Sequence, residues 1–229
     1  MVISKNYHNK VWWDELNDKN SHLRIMMDFL RTKKNPSILE LGVERGASTT
    51  AFLSVCEEIN GTLYSVDIDD CRDVVVSDKW NFLQSNDLDY KFILKTFNKL
   101  KIDGIDLLYI DSYHEKKHVL SLLGMWFKYI KKGGAIFIDD VDSLPFLKDK
   151  DIWNSIVYDT TDEGVRDFFM QNDEKIFYTK YFGENGLAKL EKLCEFLDPP
   201  NYNKKIWKYN PIIKFLYPYL RSIKKIIKI

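Results

Sequence analysis

Asp111, Asp139, Asp140 and His114 are the residues of this 229-residue chain best suited by type and spacing to do chemistry. Asp111 follows the apolar run Ile105–Ile110, and Asp139 with Asp140 follows a second such run, 135–138. If the two runs are neighbouring strands of a parallel sheet, three carboxylates arrive at one carboxyl edge, where ligands of open α/β sheets bind. Carboxylates that converge need a counter-charge or must take up protons. A hard divalent cation with oxygen ligands meets that need, Mg²⁺ first, with Mn²⁺ or Ca²⁺ behind it. The competing reading makes Asp139 and Asp140 caps of the next helix and Asp111 a solvated acid. His114 follows Asp111 by three residues, and histidine is the side chain type that exchanges protons near neutral pH. His118, one helical turn on, is its rival.

A second constellation lies upstream, in the stretch 36–50, PSILELGVERGASTT. A short apolar run carrying Glu40 ends at Gly42, Gly46 follows four residues later, and small and apolar residues continue from Ala47. The pattern predicts strand, glycine loop, helix. Such a turn aims backbone N–H groups and the positive helix end at a ligand. Gly42 would let the backbone approach that ligand closely. The spacing is neither G-x-G-x-x-G nor a P-loop with its Lys-Ser/Thr pair.

The elements that must position these residues alternate. Leu23, Met26, Met27 and Leu30 have helical spacing within 21–31, and 1–35 reads as a helical extension that packs on the sheet or covers a site. Tyr7, His8 and Trp12 are candidates to border a pocket. Strands are expected at 61–67, ending in Asp67, and at 80–83, followed by Gln84, Ser85, Asn86 and Asp87. A crossover helix is expected over 90–100. The near-continuous apolar run 105–110 predicts a strand covered on both faces. A helix over 119–130 is expected to close on Lys131-Lys132-Gly133-Gly134, followed by a strand at 135–138. After a loop at 143–154 and a helix near 161–169, two strands flank Gly183-Glu184-Asn185-Gly186 as a hairpin. The alternation predicts an α/β fold: a Rossmann-like, doubly wound sheet, mostly parallel, with an antiparallel hairpin at its end.

Glu40-x-Gly42-x-x-x-Gly46 resembles motif I of the class I S-adenosylmethionine (SAM) dependent methyltransferases. With Gly46-x-Ser48 it is similar to the version in metal-dependent O-methyltransferases, such as the catechol and macrolide-sugar enzymes. The resemblance spans roughly residues 36–192. It implies SN2 transfer of a methyl group from SAM to a hydroxyl oxygen. Asp67, 21 residues after Gly46, would take the ribose hydroxyls, and Ser85, Asn86 and Asp87 would lie beside the adenine. Glu40, Gly42, Gly46, Ser48, Asp111 and Ser112 complete the implied cofactor set. Asp111, Asp139 and Asp140 match the family's metal acids, and His114 matches its base, which is His in several sugar-methylating relatives. The acceptor implied is a small-molecule or sugar hydroxyl; a cell-surface glycan precursor would follow only if the C-terminal tail binds a membrane. A metal-independent methyltransferase and a non-catalytic SAM-binding or scaffold protein remain alternatives; the glycine spacing disfavours an NAD-dependent reductase.

Hydrophobic residues make up 45% of the chain and charged residues 30%, which excludes a disordered segment. Three scattered cysteines without a C-x-x-C pair argue against a disulfide framework, and no signal peptide or membrane span is visible, so a cytoplasmic setting is expected. The neutral total hides an asymmetry. Eight of the 34 basic residues and none of the 34 acidic ones fall in 201–229, leaving residues 1–200 with 26 basic against 34 acidic. Residues 199–229 read as a basic amphipathic tail suited to an anionic membrane surface or to a partner protein, including self-association. A nucleic-acid role is not expected. The organisation expected is an N-terminal extension over 1–35, a catalytic domain over 36–198 and the tail.

Overall fold

A computed structural model describes residues 21–142, 152–183 and 185–205, together with Ile212 and Leu216. Tyr7, His8, Trp12 and most of the basic tail lie outside the described residues. After helix α1 (His22–Arg31) come β1 (Ser37–Leu41), α2 (Ala47–Ile59), β2 (Thr62–Asp67), β3 (Trp80–Gln84), α3 (Tyr90–Thr96), α4 (Asn98–Asp103) and β4 (Ile105–Ile110). Then follow α5 (Lys116–Trp126), a 3₁₀ turn (Phe127–Tyr129), β5 (Ile130–Ile138), α6 (Ile152–Gln171), β6 (Ile176–Tyr181) and β7 (Leu187–Lys192).

The seven strands form one sheet in the order β3-β2-β1-β4-β5-β7-β6. The first five are parallel, and β7 runs antiparallel to both β5 and β6. This is the expected doubly wound sheet with its closing hairpin. Every residue of β4 is buried, because helices cover both faces of the central strand. One core layer gathers Trp126, Phe127 and Phe168 on the face covered by α5 and α6; the other gathers Met26, Leu30 and Phe52 under α1 and α2.

Strand order reverses between β1 and β4, whose carboxyl ends lie side by side, with Leu41 paired to Ile110. The Asp111 amide donates to the Leu41 carbonyl at 2.9 Å, and the Asp139 amide donates to the Ile110 carbonyl at 3.1 Å. The glycine loop and both acid-bearing strands therefore open onto the same edge.

Three local expectations are corrected. The crossover helix is two helices, broken at Phe97, whose ψ of 59° leaves the helical region. Lys131 to Gly134 do not end a helix: β5 already begins at Ile130 and runs through them. Register shifts there against β4, and a Cβ on Gly134 would lie 2.9 Å from the Ile105 carbonyl oxygen, so Gly134 lets an irregular strand pass close to its neighbour. Finally, α6 begins at Ile152, earlier than the helix expected near residue 161.

Candidate active site

The row of residues on one face of the sheet sets the site's foundation. Register places Glu40 between Ser65 and Tyr109. Glu40 is fully buried and accepts from the hydroxyls of Ser48 (2.6 Å), Thr49 (2.8 Å) and Ser65 (2.6 Å). Burial raises its pKa to about 7, helped by the Asp111 charge and opposed by the three hydroxyl donors. It ties β1, β2 and the first turn of α2 together. Glu40, expected at the cofactor, is thus a strut behind the loop and lines no part of the cavity in front of it.

The loop itself is shaped by two close approaches. Gly42 has φ +101°, and a Cβ there would lie 2.1 Å from the Asp111 carbonyl oxygen. Its small size serves the neighbouring strand end as well as any ligand. Gly46 caps α2 with φ +79°, and a Cβ would lie 2.1 Å from Val74 Cγ1. Not all loop amides point outward: Val43 and Glu44 donate to Asp67 Oδ2 at 2.7 and 3.1 Å, while Asp69 donates to Oδ1 at 2.9 Å. Asp67 anchors the loop and lines the cavity at once.

That cavity measures about 870 Å³ and opens along the carboxyl edge. Of the sequence-predicted residues, Gly42, Ser48, Asp67, Ser85, Asn86, Asp87, Asp111, Ser112, His114 and Asp139 line it; Gly46 and Asp140 do not. His118 lines it too, bonded through Nε2 to Asp87 at 2.8 Å and so drawn to the β3 side.

The acids gather at the other end. The Tyr109 hydroxyl lies 2.9 Å from Asp139 Oδ2 and 3.2 Å from Asp111 Oδ2. His114 Nε2 lies 3.3 Å from Asp111 Oδ1, and Nδ1 lies 3.6 Å from Asp140 Oδ2. Asp140 adopts φ +56°, a left-handed backbone uncommon for a residue with a side chain, and the hairpin turn braces it. The Val141 and Asp142 amides donate to the carbonyls of Gly186 and Asn185, and the Asn185 side chain bonds Asp140. Burial raises the pKa of Asp111, with Asp139 adding to it, and raises that of Asp140 to about 6, with Asp139 and Asp111 adding. For His114 burial works downward, but Asp111, Asp140 and Asp139 outweigh it and raise its pKa. Burial and the two acids hold Tyr109 well above its ordinary range, so it keeps its proton as a donor.

Two residues of this corner were not foreseen. Tyr109 could have been, since it lies two residues before Asp111 and so faces the same side of the strand. His22 could not. It is nearly buried at the start of α1, lines the cavity, and places Nδ1 3.1 Å from Asp139 Oδ1, across 117 residues of sequence.

The salt-bridge partners of Asp111, Asp139 and Asp140 among the described residues are histidines. The donor set, three carboxylates, suits a hard cation in kind. As the side chains stand, no three His, Cys, Asp or Glu among the described residues form a group that could hold an ion. Tyr109 bridges two of the acids and His114 the third, and an ion would have to replace contacts that these side chains make.

Residues 39–141 match the family model described as a methyltransferase domain. By this match the stretch resembles a methyltransferase domain. No curated protein matches the sequence. Among solved structures, MycE methyltransferase from the mycinamycin biosynthetic pathway, in complex with Mg, S-adenosylhomocysteine and mycinamycin VI, is similar at 21% identity with a TM-score of 0.53. That match covers 81% of this chain and 50% of MycE, so the chain spans about half the length of this neighbour. The O-methyltransferase TomG from Streptomyces achromogenes, in complex with SAM, matches at 13% identity and TM-score 0.58, over 81% of this chain and 91% of its own. A TDP-rhamnose 3'-O-methyltransferase of calicheamicin biosynthesis matches at 13% identity and TM-score 0.52, over 78% of each chain. At these identities the likeness shows the fold. The stretch matched by the family model contains the glycine loop, Asp67, Asp111, His114 and the Asp139–Asp140 pair. Among the described residues no helix is long and apolar enough to cross a membrane.

Proposed function

We propose that this chain transfers the methyl group of SAM to a hydroxyl oxygen of a small molecule or sugar, with His114 as base. The observation that carries the reading is the meeting of His114 with Asp111 and Asp140 beside the glycine loop, in a cavity that Asp67 also lines. In the transfer the acceptor oxygen forms a bond to the methyl carbon as the carbon–sulfur bond breaks, and its electrons return to sulfur. The acceptor's proton goes to His114. With Nε2 giving its hydrogen to Asp111, Nδ1 is the nitrogen that takes the proton, and Asp140 stabilises the imidazolium. The loop anchored by Asp67 orients the cofactor, and most of the rate comes from holding the methyl group in line with the oxygen.

Asp111, Asp139 and Asp140 are the residues that would hold Mg²⁺, Mn²⁺ or Ca²⁺. A divalent cation bound there would supply Lewis acidity to the acceptor hydroxyl. Two neighbours support the reading: MycE is a complex with Mg, and the calicheamicin enzyme methylates TDP-rhamnose. A sugar hydroxyl, a weak acid, needs such help more than a phenol does.

A metal-independent transfer is the second reading, favoured by the protein contacts that already engage each acid. Calorimetric titration of S-adenosylhomocysteine into the full chain and Asp67→Ala tests the cofactor: micromolar binding lost in the variant is expected, and no binding by folded protein overturns the proposal. EDTA then separates the readings. Turnover that survives chelation selects the metal-independent one.

A further inference from the structure

Asp87 differs from the other carboxylates of the cavity in how it is held. It follows β3, yet both groups that bond it come from the chain after β4. Ser112 Oγ donates to Asp87 Oδ2 at 2.6 Å, and His118 Nε2 lies 2.8 Å from the same oxygen. A carboxylate oxygen accepts, so His118 carries its hydrogen on Nε2. The side chains of His118 and Asp87 are only 12% and 11% exposed. His118 sits in the first turn of α5, and the edge of Tyr113 packs on its ring at 5.5 Å. Its orientation is therefore fixed by a helix and by packing.

Two donors on one oxygen fix the plane of the Asp87 carboxylate and leave Oδ1 for a ligand. The cavity that Asp87 lines is also lined by Ile68, Leu88 and Tyr113, with Asp67 one strand nearer the glycine loop. Apolar walls beside one fixed acceptor suit a flat heterocycle with an N–H donor on its edge. A carboxylate accepts from an exocyclic amino group and repels a ring carbonyl, so the same group would both bind and discriminate.

We propose that His118 is a positioning residue for cofactor recognition: through Asp87 it sets the preference for a 6-amino purine over a 6-oxo purine, without touching the cofactor. The inference rests on reading the cavity as a SAM site. It gives His118 a role distinct from that of a base, since its Nε2 is engaged by Asp87.

Calorimetry of the full chain with S-adenosylhomocysteine and with S-inosylhomocysteine tests this. The wild-type protein is expected to prefer the adenosyl ligand about tenfold or more. His118→Ala should weaken adenosyl binding about tenfold and shrink the preference, whereas His118→Gln, whose amide nitrogen reaches about as far as Nε2, should restore both. Asp87→Asn, able to donate to the 6-oxo group, should lose the preference. Equal binding of both ligands by the wild type overturns the inference, as does His118→Ala with affinity and preference intact. Equal losses for both ligands in the Ala and Gln variants would mean a merely structural role and overturn it too. Those outcomes leave the cofactor reading standing; no adenosyl binding by folded wild-type protein overturns both. If His118→Ala does not fold, Ser112→Ala removes the other donor on the same oxygen and carries the same comparison.

Discussion

The two ends of the cavity handle negative charge in opposite ways. Around the glycine loop and β3 the carboxylates meet amide, hydroxyl and imidazole donors: Asp67 takes backbone amides, Glu40 behind the loop takes three hydroxyls, and Asp87 takes a hydroxyl and an imidazole. At the β4–β5 side, Asp111, Asp139 and Asp140 meet one another, with one tyrosine and two histidines among them. The first end is complete as built and serves to hold a shape. The second is buried and crowded with like charge: burial, with the neighbouring acids adding, raises Asp111 and Asp140, while the acids raise His114 against burial, and such shifts mark a place where charge changes during a reaction.

The most damaging way to break this comparison is at the seam between the two ends. Gly42→Ala forces a side chain into the Asp111 carbonyl at a φ of +101°. A loss of about 3 kcal/mol or more is expected in chemical denaturation, with loss of cofactor binding in whatever remains folded. A change on the charged side alone should be narrower. His114→Ala is expected to cut kcat by about 10²–10⁴-fold while S-adenosylhomocysteine affinity stays within a few-fold; an affinity that falls in step with kcat would mean the two ends are not separate.

Glu40 sharpens the comparison through pH. Its folded pKa of about 7 lies above the ordinary 4.5. Between these values the unfolded chain releases a proton that the folded one keeps, so folding stability falls as pH rises from about 4.5 to 7 and then levels off. The gap corresponds to roughly 3 kcal/mol. Urea denaturation of wild type and Glu40→Gln at pH 5 and pH 7.5 should show that difference in the wild type and little of it in the variant. The smallest effect belongs to the outer fastening of α1. Arg31 pairs with Glu58 at 2.8 Å, but both are part-exposed, so Arg31→Ala should cost below about 1 kcal/mol. A larger loss, or a drop in kcat, would show that docking of α1 controls the corner where His22 meets Asp139.

Much of the fold was legible because it rests on local pattern. The run 105–110 has no charged residue but Asp106, and the strand it makes is buried on both faces, with Asp106 bonded to Lys131 at 2.7 Å. Misreadings fell where a local signal was ambiguous. Basic residues and paired glycines after a helix resemble a helix end, but at 131–134 they serve an irregular strand whose neighbour comes too close for a Cβ.

The sequence by itself determined the glycine loop, the acids at the strand ends and the histidine three residues after Asp111. Each depends on residue type and short spacing, which strand and turn geometry convert directly into position. Only the tertiary structure decided which of these acids face each other, that Glu40 supports the loop from behind, and that His22 and His118 reach Asp139 and Asp87. Those outcomes depend on strand order and helix docking, which bring together side chains 31 and 117 residues apart, and no local pattern records where such partners meet.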